Sequence, residues 1–150
     1  MRFPATRFHP ITSTMVWACL LALSACSRPA PEQALRDTIA QMQSAIEARK
    51  ANVLDEHIAE DFIGPEGMDR KAARRLAQVI FLRNRDIGAT LGPLQVAVED
   101  AHATVRFSVA LTGGSGALLP DSAQVYQVAT GWRMRDEEWE LVSADWTPRM

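Results

Sequence analysis

The sequence predicts an α+β domain in which helices cover one face of an antiparallel sheet. Two patterns predict this fold: apolar residues in the first half of the domain recur at helical spacing, and those in the second half alternate as in half-buried strands. Of the 150 residues, 47 % are hydrophobic and 23 % are charged, which is a globular composition. The length suits a single domain.

The charge balance and the cysteine count exclude several kinds of site. Lys and Arg number 16 against 18 Asp and Glu, so the chain has no basic field and we expect no nucleic-acid partner. The only cysteines are Cys19 and Cys26, too few for a disulfide framework or a thiolate zinc site. The glycines at 113–116 lack the Lys and the following helix of a phosphate-binding loop, and we expect no cofactor.

Residues 1–25 are predicted to be a lipoprotein signal peptide outside the fold. A positive leader with Arg2 and Arg7 comes before nine apolar residues at 15–23, far fewer than the roughly 20 that a membrane-spanning helix needs. The following Leu-Ser-Ala-Cys sequence, which ends at Cys26, resembles the bacterial lipobox. The resemblance implies cleavage before Cys26 and acyl chains that anchor the protein in a membrane, facing the periplasm.

The anchor prediction sets the expected location and the domain boundaries. The residue directly after Cys26 is Ser27 and not Asp, which by resemblance to Gram-negative lipoproteins favours the outer over the inner membrane. Residues 26–31 form a short tether that two prolines keep extended, and residues 32–150 form the domain. The alternative is an ordinary secretory signal in which Cys26 has no role.

Three helices are predicted at the start of the domain. The first spans 32–50 and carries an apolar stripe at steps of four, three and four residues. A second, short helix with Asp55 as its cap is predicted from Val53, Leu54, Ile58 and Phe62, and the Gly-Pro-Glu-Gly sequence at 64–67 ends it. The third begins at an Asp69 cap and ends near Asn84.

The spacing changes after Asn84 to that of strands. The predicted extended segments and their turns are 89–100 with a break at Gly92-Pro93, 103–111, a turn at 113–116, 124–135, a turn at 136–138, and 139–146. In the last strand, alternation predicts that Trp139 and Leu141 face away from Val142 and Trp146.

Several features together resemble a known superfamily. They are the order of helices and strands, the Ala-Glu-Asp-Phe sequence at 59–62, and the closing segment 139–146 with Trp at both ends. Over residues 32–148 the chain resembles the nuclear transport factor 2-like superfamily, whose cone-shaped α+β fold occurs in polyketide cyclases and ketosteroid isomerase. The resemblance implies a curved sheet and a pocket between sheet and helices. It implies no particular activity, because the same cone hosts isomerases, dehydratases, assembly domains and domains without known chemistry. Another small α+β domain with a curved sheet is the alternative.

The first candidate site residues are His57 and Asp61. Their spacing of four places both on one face of a helix, where a desolvated His-Asp pair would serve as a general acid and base. The competing interpretation is an exposed pair, or an Asp61 that braces the turn at Gly64.

Two further candidates lie on the predicted strands. Tyr126, the only tyrosine, either donates a hydrogen bond inside the pocket or is a strand aromatic with its hydroxyl at the edge. Asp145 faces either the pocket or water. Ketosteroid isomerase-like chemistry needs an Asp base with Tyr and a second acid, and Tyr126 and Asp145 are only loose counterparts.

The remaining polar and aromatic groups favour simple structural roles. Glu99, Asp100 and His102 have no second ligand cluster, so we expect no metal site. The tryptophans at 132, 139 and 146 are expected in the core and on the sheet surface. The basic residues of the third helix are expected in solvent, with an anionic lipid or a partner as the alternative.

The sequence therefore favours a non-catalytic, membrane-anchored periplasmic protein that binds a small apolar ligand or a protein partner. The alternative is a small isomerase-, dehydratase- or hydrolase-like enzyme that uses His57, Asp61, Tyr126 or Asp145 in the pocket. Since members of the superfamily often pair through their sheets, a homodimer is also expected if Trp132 or Trp146 lies on an exposed face.

Overall fold

The computed structural model describes residues 30–115 and 122–149. Three α-helices and six strands follow one another in the order α1 (Pro31–Glu47), α2 (Ala51–Glu56), β1 (Ile58–Ile63), α3 (Arg70–Arg83), β2 (Asp86–Leu91), β3 (Gln95–Glu99), β4 (His102–Gly114), β5 (Ser122–Arg135) and β6 (Glu138–Pro148). A one-turn 3₁₀ helix at Pro65–Gly67 lies between β1 and α3. The predicted α+β fold, with helices on a curved sheet, is confirmed. The predicted signal peptide and the predicted lipid attachment at Cys26 lie outside the described residues.

Helix α1 starts at a proline, which suits the first helical position because the proline nitrogen lacks the proton that would go unbonded there. Its predicted apolar stripe is confirmed: Leu35 and Ile39 are buried against the sheet. The indole nitrogen of Trp139 donates to the carbonyl of Pro31 (2.9 Å) and so fixes the start of the helix to β6. No helix among the described residues is long and apolar enough to cross a membrane.

The prediction of one helix from Val53 to Phe62 is wrong in its second half. Helix α2 ends at Glu56, and Ile58–Ile63 form strand β1, which pairs in parallel with β6. The apolar spacing of four residues fits a helix locally, but β-branched and aromatic residues also suit a strand, and pairing with β6 decides between the two. The sheet is therefore mixed, with one parallel pair at its edge. Asp55 lies within α2 and is not its cap.

The sheet has the order β1-β6-β5-β4-β2, and β3 pairs with the first half of β4. Strands β2 and β3 thus share one edge of the long β4, and the predicted break at Gly92-Pro93 separates them. The Asp69 cap of α3 is confirmed, since its carboxylate accepts from the backbone nitrogen of Ala72 (2.7 Å).

A β-bulge in β6 changes which side chains face the helices. Trp132 lies opposite Leu141 and Gly131 lies opposite Ser143, so Val142 is an extra residue on β6. Beyond the bulge the alternation is shifted by one residue. Leu141 and Trp146 consequently line the same concave face, and the prediction that they face opposite ways is wrong.

The packed core occupies the end of the sheet where β4 begins and β5 finishes. Its buried members are Leu35, Ile39, Phe62, Ala103, Val105, Trp132, Trp139 and Leu141. Two linked hydrogen bonds cross this core. The indole nitrogen of Trp132 donates to Thr130 Oγ1 (2.8 Å), and Thr130 Oγ1 donates to the carbonyl of Val105 (3.2 Å). Both side chains are buried, so each hydrogen bond replaces one lost to water.

The two hydrogen bonds of Thr130 lead to a prediction about the stability of the fold. Thr130→Val keeps the shape of the side chain but leaves the buried Trp132 indole without an acceptor, so unfolding in urea should show a loss of about 1–3 kcal/mol. Thr104→Val, on the exposed face of β4, is the matched control and should lie within about 0.5 kcal/mol of the wild type. Equal stability of Thr130→Val and Thr104→Val would contradict this role.

Candidate functional site

A cavity of about 530 Å³ lies between the helices and the concave face of the sheet. This volume falls within the range of about 300–1,000 Å³ that is typical of small-molecule sites. The helices contribute Ile39, Met42, Ile46, Leu54, Ala73, Leu76, Ala77, Ile80 and Phe81, and the strands contribute Ile87, Ala89, Leu91, Phe107, Val109, Leu111, Tyr126, Val128, Leu141 and Trp146, among others.

Cross-strand pairing builds the sheet wall of the cavity. Val109 lies opposite Tyr126 and Phe107 lies opposite Val128, so alternate side chains of β4 and β5 meet on the concave face. These are the apolar positions that the strand alternation predicts, and they continue the buried row of Ala103 and Val105.

Helix α3 covers this wall without filling the space below it. None of its residues is buried. Leu76 and Ile80 line the cavity, although Leu76 is 38 % exposed and Ile80 is 41 % exposed. Its alanines Ala73 and Ala77 also line the cavity, and their small side chains leave room there. The site is therefore a partly open, mostly apolar cavity that α3 covers on the side opposite the sheet.

The described part of the cavity wall carries no charged side chain. Among the described residues that line it there is no Asp, Glu, His, Lys, Arg or Cys, and Tyr126 is the only one with a titratable side chain. General acid-base chemistry needs groups that exchange a proton near the working pH. The described wall is therefore better suited to contact with the apolar surface of a ligand than to proton transfer.

Tyr126 lies on the cavity wall, as one interpretation of the sequence proposed. It is half-buried in β5, between Val109 on β4 and Pro148 on β6. No side-chain hydrogen bond joins its hydroxyl to another described residue. Its phenol is therefore an available hydrogen-bonding group within an apolar surface.

The structure separates His57 and Asp61. His57 follows α2 and Asp61 lies in β1, so the expected shared helical face does not exist. Asp61 is 65 % exposed and accepts two hydrogen bonds from Arg133, both 2.9 Å. These bonds hold the pKa of the Asp61 carboxyl below its ordinary value. Neither residue lines the cavity, and Asp61 braces β1 against β5 rather than the turn at Gly64.

The other sequence candidates also lie elsewhere. Asp145 is exposed and lies next to Trp146 in β6, on the face away from the cavity. His102 is exposed at the start of β4, opposite Glu99. No group of three His, Cys, Asp or Glu among the described residues could hold a metal ion. Of the four candidate catalytic residues, only Tyr126 reaches the cavity.

Sequence reasoning missed two ion-pair clusters. Arg133 also contacts Glu140 (3.4 Å), so its guanidinium joins β1, β5 and β6, and the hydrogen bond with Asp61 raises the pKa of Arg133. Arg70, predicted to lie in solvent, donates to both carboxylate oxygens of Asp55 (3.0 and 3.1 Å) and ties α3 to α2. Both pairs join residues distant in sequence, and no local pattern indicates them.

The three tryptophans that the structure describes form no exposed aromatic face. Trp132 and Trp139 are buried in the core, and Trp146 is half-buried on the cavity wall. Trp132 therefore gives no support to pairing of two copies through the sheet, and the homodimer stays a prediction.

No family model and no curated protein matches the chain. Among solved structures, it is similar to a protein from Novosphingobium aromaticivorans proposed to be a scytalone dehydratase (TM-score 0.72, 16 % identity, 79 % of this chain and 84 % of that one). A proposed dehydratase of the NTF2-like family from Streptomyces avermitilis is also similar (TM-score 0.68, 16 % identity, 81 % and 99 %). A third is Bd1075 from Bdellovibrio bacteriovorus (TM-score 0.70, 12 % identity, 78 % of this chain). The chain spans 41 % of the length of Bd1075. These likenesses show that the domain has the NTF2-like fold.

The Asp61–Arg133 pair yields a prediction about pH. Because the pKa of Asp61 is lowered in the folded protein, the pair stabilises the fold above the ordinary pKa of about 4 and loses that effect as the pH falls through the lowered value. Asp61→Asn should therefore lower the urea midpoint at pH 7, and the difference from the wild type should shrink in acid.

The control for this prediction is Asp145→Asn, which changes an exposed carboxylate for which the structure gives no ion pair among the described residues. It should leave the midpoint nearly unchanged at both pH values. A deficit of Asp61→Asn that is as large in acid as at neutral pH would show that the ion pair is not its cause.

Proposed function

We propose that this protein is a lipid-anchored, non-catalytic protein of the cell envelope that binds a small apolar ligand in its cone cavity. The observation that carries the proposal is a cavity of about 530 Å³ whose wall, as far as the structure describes it, is mostly apolar and uncharged. Burying apolar ligand surface in such a cavity is favourable by about 25 cal/mol per Å². The preformed space means that the ligand has little protein to displace.

The anchor part of the proposal rests on the sequence. The lipobox-like segment ends at Cys26, and α1 begins only five residues later at Pro31. An extended tether of this length spans about 20 Å at most. A lipidated Cys26 would hold the cavity close to the membrane surface, on the periplasmic side, with the outer membrane favoured over the inner.

An enzyme of the isomerase, dehydratase or hydrolase type is the second candidate. Two similar structures belong to proteins proposed to be dehydratases, and Tyr126 lies in the cavity. Against this candidate, His57, Asp61 and Asp145 do not line the cavity, so Tyr126 has no acid-base partner among the described residues of the wall. We therefore place binding first.

The binding proposal predicts the effect of filling the cavity. Ala77→Phe adds a ring under α3 that takes up part of the cavity. A bound fluorophore would then have to share the remaining space, and because forcing extra atoms into a filled space costs about 1–3 kcal/mol, the affinity for the apolar fluorophore N-phenyl-1-naphthylamine should fall by about tenfold or more. Fluorescence titration of the full-length protein measures this. Ala123→Phe, at an exposed position of β5, is the matched control and should keep wild-type affinity. Equal affinity of both variants would mean that the probe binds elsewhere.

The anchor proposal predicts the chemistry of the mature N-terminus. Mass spectrometry should find a chain that begins at Cys26 and carries diacylglycerol on its sulfur, and the protein should fractionate with membranes. Cys26→Ser removes the acyl acceptor and should release the protein from the membrane fraction or leave its leader uncleaved. An unlipidated Cys26 in the wild-type protein would contradict the anchor without affecting the binding proposal.

A further inference from the structure

The cavity wall changes in polarity along strand β5. Ser122 and Gln124 are exposed at the start of the strand, Tyr126 is half-buried after them, and Val128 continues the wall towards the buried Trp132. A ligand in the cavity therefore meets exposed polar groups at one end, a single phenol in the middle and an apolar surface at the other end.

Several polar side chains of this wall already have hydrogen-bond partners within the protein. Gln43 Nε2 donates to the carbonyl of Ala89 (2.6 Å). Asn84 Nδ2 donates to the carbonyl of Ile80 (3.0 Å). Thr130 bonds within the core, as described above. Three half-buried groups of the described wall have no hydrogen bond to another described residue: the hydroxyl of Thr112, which lies against Gly88 of β2, the indole N–H of Trp146 and the hydroxyl of Tyr126. We take the phenol of Tyr126 as the contact for a ligand because it lies midway along the wall, between the polar start of β5 and its apolar end.

The charges near the cavity are also engaged elsewhere. A carboxylate oxygen of Glu47 accepts from the backbone nitrogen of Ala89 (3.3 Å), and Arg49 donates to the carbonyl of Asn84 (3.5 Å). Neither Glu47 nor Arg49 lines the cavity. An ionic ligand head would lose water inside the cavity without gaining a counter-charge on the described wall, which is unfavourable.

We propose that the ligand is an uncharged, largely apolar molecule with one hydrogen-bond acceptor, such as a carbonyl or hydroxyl oxygen, that receives the hydroxyl of Tyr126. This inference rests on the proposed binding function and adds the charge class and the polar contact of the ligand. Acids and amines whose charged head enters the cavity are disfavoured by desolvation, and pure hydrocarbons bind without the phenol contact.

The charge class is tested with aromatic probes that share one bicyclic body. 2-Acetylnaphthalene carries a neutral acceptor, 2-naphthoate a negative charge and 2-naphthylmethylammonium a positive charge. Displacement of N-phenyl-1-naphthylamine from the full-length protein should give a Kd for each ion at least about tenfold weaker than that of the ketone, equivalent to about 1.4 kcal/mol. Ions that bind as tightly as the ketone would overturn the inference and leave the binding function standing. If neither the fluorophore nor any of the three probes binds, the binding function itself fails.

The phenol contact is tested with Tyr126→Phe and a fourth probe, naphthalene, which has no acceptor. Loss of one neutral hydrogen bond should weaken the binding of 2-acetylnaphthalene by roughly threefold to tenfold and leave the affinity for naphthalene unchanged. Thr147→Val removes a hydroxyl from an exposed position of β6 and should change neither affinity. An equal loss for both probes in Tyr126→Phe would assign Tyr126 a packing role, and no loss for either would remove the contact. Both results would overturn this part of the inference, and the comparison of ions in the wild-type protein does not depend on how the variant folds.

Discussion

The structure depends on a mismatch between the apolar face of the sheet and the helices that cover it. The concave face of β4, β5 and β6 is apolar along most of its length, but the buried core fills only one end of it. There Leu35 and Ile39 of α1 pack against the sheet, next to Phe62 of β1. At the other end α3 contributes alanines and partly exposed aliphatic side chains, with none of its residues buried. The unfilled remainder is the cavity.

This mismatch has an energetic consequence. Protein interiors normally pack at the density of organic crystals, and an unfilled apolar space forfeits dispersion contacts on every wall. A ligand of matching polarity restores those contacts and stabilises the folded state by mass action. The ion pairs of Arg133 and Arg70 lie outside the cavity and hold β1 and α3 in place around it. These charged groups thus stabilise the surrounding elements, and the described residues of the cavity wall carry no charge.

Local patterns in the sequence predict the elements whose structure is decided locally. The stripe of α1, the Asp69 cap of α3 and the alternation in β4 and β5 all appear as expected, and Tyr126 lies on the wall of the cavity. The features that local patterns miss depend on distant partners. Strand β1 exists because it pairs with β6, about 80 residues later in the chain. The Val142 bulge, which brings Trp146 to the concave face, is visible only in the register between β5 and β6. The spacing of Asp61 from His57 predicts a pair on one helix, but the actual partner of Asp61 is Arg133, which lies 72 residues later and which no local pattern indicates.

The most direct test of the account is a crystal structure of the protein grown with an uncharged apolar ligand. We expect electron density for the ligand between Ala77 on α3 and Val128 on β5, with the backbone of the sheet and the helices unchanged. A structure in which α3 packs directly on the sheet, with Leu76 and Ile80 filling the space and the ligand absent or bound outside, would contradict it.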